Sequence, residues 1–80
     1  MPKTIHRDEY DVLIAMIRQM RLDAGLKQSE LSEAIGRPQS FISNLECGIV
    51  RVDVIQLKDI CEVCGKTFSS FCREFEKKVA

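Results

Sequence analysis

Four glycines divide the chain into five segments of helical character, and this spacing of glycines constrains the fold more than any other feature. Within each segment the apolar residues recur at spacings of three or four, which places them on one face of an α-helix. Each glycine follows such a segment, at the position where a left-handed residue commonly ends a helix. Strand signals are essentially absent. The sequence therefore predicts an all-α fold of five helices joined by short turns.

The expected helices cover residues 8–24, 28–35, 38–47, 54–64 and about 67–77. Asp53 and Thr67 are candidate N-caps for the last two helices, since their side-chain oxygens can accept a backbone N–H. Pro38 suits the first position of the third helix, where its missing N–H needs no partner. We expect Ala34 to be small because the next helix crosses close to it, and Gly36 to allow a sharp turn there.

Length and the motifs that the sequence lacks narrow the class of protein. Eighty residues fit one domain, residues 1–80, and leave little room for a substrate pocket. No recognised catalytic motif or phosphate-binding loop is present, so we expect a binding module and no enzyme. No apolar run could cross a bilayer, and the N-terminus lacks a signal-peptide pattern, so we expect a cytoplasmic protein without membrane contact.

The balance of charges is unusual for a nucleic-acid binder. The chain has 12 basic and 12 acidic residues, for a formal net charge of zero. Proteins that bind nucleic acids usually carry an excess of Lys and Arg. Either the positive charge is concentrated on one face, or the partner is not nucleic acid.

Two short helices separated by a glycine turn, at about residues 28–47, fit a helix-turn-helix. The second of them would present short polar side chains, which suit contacts to base edges in a major groove. The pattern extends beyond this unit in a consistent order and spacing, through Ile17, Arg18, Met20, Arg21, Gly25, Leu26, Gln28, Leu31, Ala34, Gly36, Ile42, Ser43, Leu45, Glu46, Gly48, Leu57, Ile60, Cys61, Cys64 and Gly65.

In these residues the chain resembles the Cro and phage-repressor family of helix-turn-helix regulators, over about residues 13–71. The length and five-helix layout look most like the small controller proteins of restriction–modification systems and the Cro-like regulators of mobile elements. The resemblance implies a lambda-repressor-like domain that binds double-stranded DNA. It further implies a homodimer that reads a palindromic operator and regulates transcription.

Individual roles follow from the same resemblance. The base-reading positions match Gln39, Ser40, Ser43 and Asn44. Gln28 matches a phosphate contact of the family, and Arg51 in the loop after Gly48 is a further phosphate candidate. Lys27 and Arg37 depart from the family pattern, where a cap and an apolar residue are usual, and both add positive charge suited to phosphates. Arg21 and Glu46 match positions that form a partly buried structural ion pair.

Cys61 and Cys64 form a CxxC pair, for which zinc binding and buried packing are the two interpretations. A single CxxC without a second Cys/His pair is a weak metal signal, and His6 is distant in sequence. The resemblance places both cysteines at core positions. We therefore expect buried thiols, no metal and no cofactor.

The last helix carries an aromatic stripe that an 80-residue core is not expected to absorb fully. We expect Phe68 and Phe71 to help close the core, and Phe71, Cys72 and Phe75 to form a dimer contact. A different class of function remains open at this point. The chain could keep the helix-turn-helix fold and bind a protein partner, as an anti-activator or adaptor does.

Overall fold

Five α-helices make up the fold of this computed structural model, which describes residues 2–80, with side chains from Glu9 onward. The helices are α1 (Pro2–Asp23), α2 (Gln28–Ala34), α3 (Phe41–Glu46), α4 (Val54–Val63) and α5 (Phe68–Val79). No strand occurs in the described part of the chain. The predicted all-α, five-helix fold is confirmed.

The first helix is longer than predicted. It begins at Pro2, whereas the sequence pattern indicated a start near residue 8. Pro2 suits a first helical position, and no helix breaker follows it until Gly25. The predicted start near residue 8 is therefore wrong, and the side chains of His6 and Asp8 lie outside the described residues.

The glycines act as expected at the C-terminal ends of the two helices of the helix-turn-helix. Gly36 and Gly48 have φ values of 72° and 79°, in the left-handed region that side chains with a Cβ avoid. After Gly36 the N–H of Arg37 bonds back to the carbonyl of Ser32 at 2.9 Å. After Gly48 the N–H of Ile49 bonds back to the carbonyl of Asn44, also at 2.9 Å. Each bond closes the end of its helix.

All five helices contribute to one apolar core. Its fully buried members include Ile17, Leu31, Ile42, Ile60 and Phe71. Phe68 and Phe75 pack against this core from α5 and are partly buried. Because Phe71 is only 1% exposed within its own chain, its predicted part in a dimer contact is wrong.

The predicted N-caps of the last two helices are confirmed. The Asp53 carboxylate accepts the N–H of Gln56 at 2.7 Å, and the Gln56 side chain accepts the N–H of Asp53 at 3.0 Å. Thr67 Oγ1 accepts the N–H of Ser70 at 3.1 Å. These bonds satisfy donors that a helix start leaves without intrahelical partners. Within residues 2–80, no helix has both the length and the apolar character needed to cross a membrane.

Candidate nucleic-acid interface

The third helix is shorter than the sequence indicated. It begins at Phe41, not at Pro38, because the N–H of Phe41 bonds to the Pro38 carbonyl at 2.9 Å and forms a turn there. Gln39 and Ser40 lie in this turn, directly before the helix. The predicted base-reading set therefore comes from a turn and from the helix that follows it, instead of one helical face.

Ser32, which the sequence pattern did not single out, joins the two helices of the motif. It is completely buried on α2, and its Oγ accepts the N–H of Ile42 on α3 at 2.9 Å. Ala34 is exposed, so its predicted role as the small residue at the helix crossing is wrong. The Ser32 bond supplies a cap that the side chain of Ser40, at the N-cap position, does not provide.

Arg21 and Glu46 form the structural ion pair that the family resemblance implied. Arg21 Nε lies 2.7 Å from Glu46 Oε2, and Arg21 Nη2 lies 3.1 Å from Oε1. Arg21 Nη1 also donates to the carbonyl of Leu26 at 2.8 Å. The two charged side chains are 8% and 4% exposed, so the network ties α1, the following turn and α3 together in the interior.

Gln28 belongs to the same network. Its Nε2 donates to Glu46 Oε1 at 2.9 Å, which fixes the side chain at the start of α2. The neighbouring residue, Lys27, has its backbone N–H held by the Glu30 carboxylate at 2.8 Å. This bond compensates in part for the missing Ser or Thr cap at position 27.

An open groove of about 660 Å³ lies between the starts of α2 and α3. Polar side chains alone line it: Lys27, Gln28, Ser29, Gln39, Ser40 and Ser43. The groove brings three of the predicted base-reading residues together with two of the predicted phosphate contacts. Asn44 is half-buried and does not line this groove. Sequence reasoning missed Ser29, whose position one residue after Gln28 was its only signal.

Three exposed cations of the predicted phosphate set stay outside the ion pairs that residues 9–80 form. Those pairs are Arg21–Glu46, Lys58–Glu62 and Lys66–Glu74. Lys27, Arg37 and Arg51 belong to none of them. Although the net charge is zero, these three cations are not neutralised by any of the ion pairs among residues 9–80.

Two of these cations rest on aromatic rings. Arg37 Cζ lies 4.7 Å from the centroid of the Phe41 ring, and Arg51 Cζ lies 4.6 Å from the centroid of the Tyr10 ring. Contacts of this geometry stabilise a guanidinium while leaving its N–H donors available at the edge. The two arginines occupy the turn before α3 and the loop after it.

The CxxC cysteines pack as apolar residues. Cys61 is completely buried and Cys64 is half-buried, in line with the predicted core positions. Burial raises the pKa of the Cys61 thiol from 9.0 to about 11, which opposes the thiolate form that zinc requires. Among the described side chains, no group of three or more His, Cys, Asp or Glu residues is placed to hold a metal ion.

Comparisons with a family model and with solved structures point to the same family. The helix-turn-helix family model matches residues 17–71. A solved XRE-family like protein from Pseudomonas syringae is 35% identical, with a TM-score of 0.91 over 99% of this chain and 96% of that one. No curated protein matches the sequence significantly.

Two solved structures of the clp gene regulator ClgR from Corynebacterium glutamicum are also similar. One is 27% identical, with a TM-score of 0.76 over 89% of this chain and 76% of that one. The other is 28% identical, with a TM-score of 0.74 over 90% of this chain and 92% of that one. The present chain therefore belongs to the XRE/Cro-type, repressor-like helix-turn-helix family of non-enzymatic DNA-binding proteins.

Proposed function

We propose that this protein is a cytoplasmic transcription regulator that binds a palindromic DNA operator as a homodimer. The observation that carries the proposal is the polar groove between α2 and α3, in which Gln39, Ser40 and Ser43 lie beside Lys27 and Gln28. Gln and Ser side chains can read base edges, while Lys and Gln can donate to phosphates. Together with Asn44, these side chains form the proposed DNA-reading surface.

Rigid support beneath this surface favours DNA reading. Glu46, at the end of α3, receives donors from Arg21 on α1 and from Gln28 on α2. Ser32 holds the start of α3 from α2. Because both ends of α3 are fixed, the backbone that carries Ser43 and Asn44 is held in place before DNA binds, which lowers the ordering cost of binding.

A second copy of the chain would double the reading surface. Ile49, Val54 and Ile55 are 71%, 65% and 66% exposed, and they lie within seven residues of each other in sequence. Exposed apolar side chains concentrated in one short segment favour a protein contact. Arg51 and Asp53 lie in the same segment and balance in charge, so two copies related by a two-fold axis would not repel through it.

The position of this aliphatic patch (Ile49, Val54 and Ile55) suits operator reading. Ile49 follows α3 directly after Gly48, and Val54 and Ile55 begin α4. A symmetric contact here would hold two copies of α3 at a fixed separation, as reading of two half-sites requires. Cys72 and Phe75 on α5 are the other proposed dimer contact, but both are already half-buried against their own chain.

The test is a mobility shift with duplex DNA from upstream of the protein's own gene, at several stated salt concentrations. We expect a specific complex that survives competition by a scrambled duplex. Protection mapping should show two half-sites with centres about one helical turn, or a multiple of it, apart. Equal affinity for the specific and the scrambled duplex would contradict sequence-specific reading and would favour the protein-partner function.

A further inference from the structure

We propose that Tyr10 is a positioning residue that holds Arg51 for contact with a DNA phosphate, an inference that rests on the proposed function. Tyr10 lies on α1, far in sequence from the helix-turn-helix. Its hydroxyl donates to the carbonyl of Val50 at 3.0 Å, and its ring lies under the Arg51 guanidinium at 4.6 Å. One side chain thus fixes two consecutive residues of the loop between α3 and α4.

The chemistry of the stack suits a phosphate ligand. A guanidinium that rests its face on an aromatic ring keeps its N–H donors in its own plane, where a phosphate oxygen can accept them. Arg51 itself is exposed, and it belongs to no ion pair among residues 9–80. Because the ring restricts the side chain before DNA arrives, less conformational entropy is lost when the contact forms.

The hydroxyl bond adds a constraint on the loop itself. Ile49 follows the end of α3, and the bond to the Val50 carbonyl fixes the backbone immediately before Arg51. The position of Arg51 relative to α3 is therefore set by α1 as well as by the loop. At the other end of α3, Arg37 rests on Phe41 in the same way, at 4.7 Å.

This arrangement explains how a chain of zero net charge can bind a polyanion. Affinity for DNA depends on the cations that reach phosphates and release counterions, and not on the formal sum over the whole chain. Two arginines held on rings at opposite ends of α3 would act as such contacts. Tyr10 provides the cleaner test, because Phe41 is a core residue and its loss would disturb packing.

The experiment is a double-mutant cycle on the full chain, with the upstream duplex and a scrambled duplex as probes, over a series of salt concentrations. Arg51→Gln should weaken binding to both duplexes and lower the slope of log K against log salt by about 1. Tyr10→Leu should weaken binding about 2- to 5-fold, the value of one exposed cation–π contact. Tyr10→Phe keeps the ring and should retain more affinity than Tyr10→Leu.

The decisive comparison is Tyr10→Leu in the Arg51→Gln background, measured well below the melting temperature of every variant. If Tyr10 acts through Arg51, the second substitution causes no further loss. If Tyr10→Leu lowers DNA affinity equally in the wild-type background and in the Arg51→Gln background, Tyr10 only supports the fold. That result would overturn the inference. So would normal affinity and salt slope in Arg51→Gln. A wild-type protein that binds neither duplex would instead overturn the proposed function itself.

Discussion

Ser32 and Ile42 are joined across the helix-turn-helix by a buried hydrogen bond of 2.9 Å, from the Ile42 N–H to Ser32 Oγ. Gly36 ends α2 and begins the turn to α3, and the bond joins the two helices across this turn. It therefore sets the distance between the two helices at the start of α3. Both residues are completely buried. Neither helix could shift along the other without leaving a polar group unpaired in the core.

Ser32→Ala should therefore destabilise the fold by about 1–3 kcal/mol, since the Ile42 N–H would stay buried without a partner. Chemical denaturation monitored by circular dichroism measures the change. Ser69→Ala is the matched control, because Ser69 is exposed on α5 and a serine is removed from a helix in both variants. Equal free energies of unfolding for the two variants would show that the Ser32 bond contributes nothing.

Arg21→Ala should lower stability much more than Arg18→Ala, by about 3–5 kcal/mol, since it leaves Glu46 buried without its cation. Arg18 is exposed on the same helix and serves as the control. Arg21→Lys extends the test if Arg21→Ala does not fold. Lysine keeps the charge but cannot supply the forked contacts to Glu46 and Leu26, so an intermediate melting temperature is expected. Identical melting of the Arg18 and Arg21 variants would make the ion pair energetically neutral.

The sequence predicted the helices well where local signals decide their ends. Asp53 and Thr67 offered cap oxygens, and the glycines offered left-handed residues, so the last two helices begin and the middle helices end where the pattern indicated. The predicted start of α3 was wrong because Pro38 fits two local structures, which are the first turn of a helix and the turn that precedes Phe41 in the structure.

The candidate site was harder to predict, because it depends on contacts between distant segments. Ser32 and Ala34 are both small residues on α2, and only the packed structure shows which one faces α3. Tyr10 had no local signal, since its contacts lie on a loop 40 residues away. The aromatic stripe of α5 was expected to exceed the core, but Phe71 is absorbed completely.

The stability of the protein should depend on pH above 9 through Cys61. The folded state raises the pKa of this thiol from 9.0 to about 11 by burial, so between these values the unfolded state has lost a proton that the folded state retains. The free energy of unfolding should therefore fall as pH rises through this window, by up to about 1.4 kcal/mol per pH unit, and below the window Cys61 should cause no change with pH.

Denaturation of the wild type and of Cys61→Ala across pH 8 to 11 separates this effect from the titration of Lys and Tyr side chains, which both proteins share. The free energy of unfolding of Cys61→Ala should decline less steeply with pH than that of the wild type. Cys47→Ala is a control, because Cys47 is exposed and its substitution should leave the wild-type slope in place. Parallel curves for the wild type and Cys61→Ala would contradict the raised pKa.

Gln39→Ala and Asn44→Ala should each weaken binding to the specific duplex by about 1–3 kcal/mol, with little effect on the scrambled duplex or on folding. Gln39 is exposed in the groove, whereas Asn44 is half-buried and follows the groove residue Ser43 in α3. Gln19→Ala is the control for Gln39→Ala, because it makes the same chemical change at an exposed position of α1. Unaltered affinity in both variants, with intact helicity, would remove them from the DNA-reading surface.

Ile55→Glu should convert the proposed dimer to a monomer, as measured by sedimentation at micromolar concentration. Ile55 is 66% exposed, so the charge costs little in the isolated chain, whereas the proposed contact would bury it without a partner. The helical spectrum and melting of the monomer should stay near wild type, and affinity for the operator should fall because the two half-sites are no longer bound together. Phe75→Glu tests the contact on α5 in the same way. If Phe75→Glu dissociates the dimer and stays folded, while Ile55→Glu leaves the dimer intact, the interface lies on α5 and not on the aliphatic patch. A wild-type protein that sediments as a monomer would exclude both proposed interfaces.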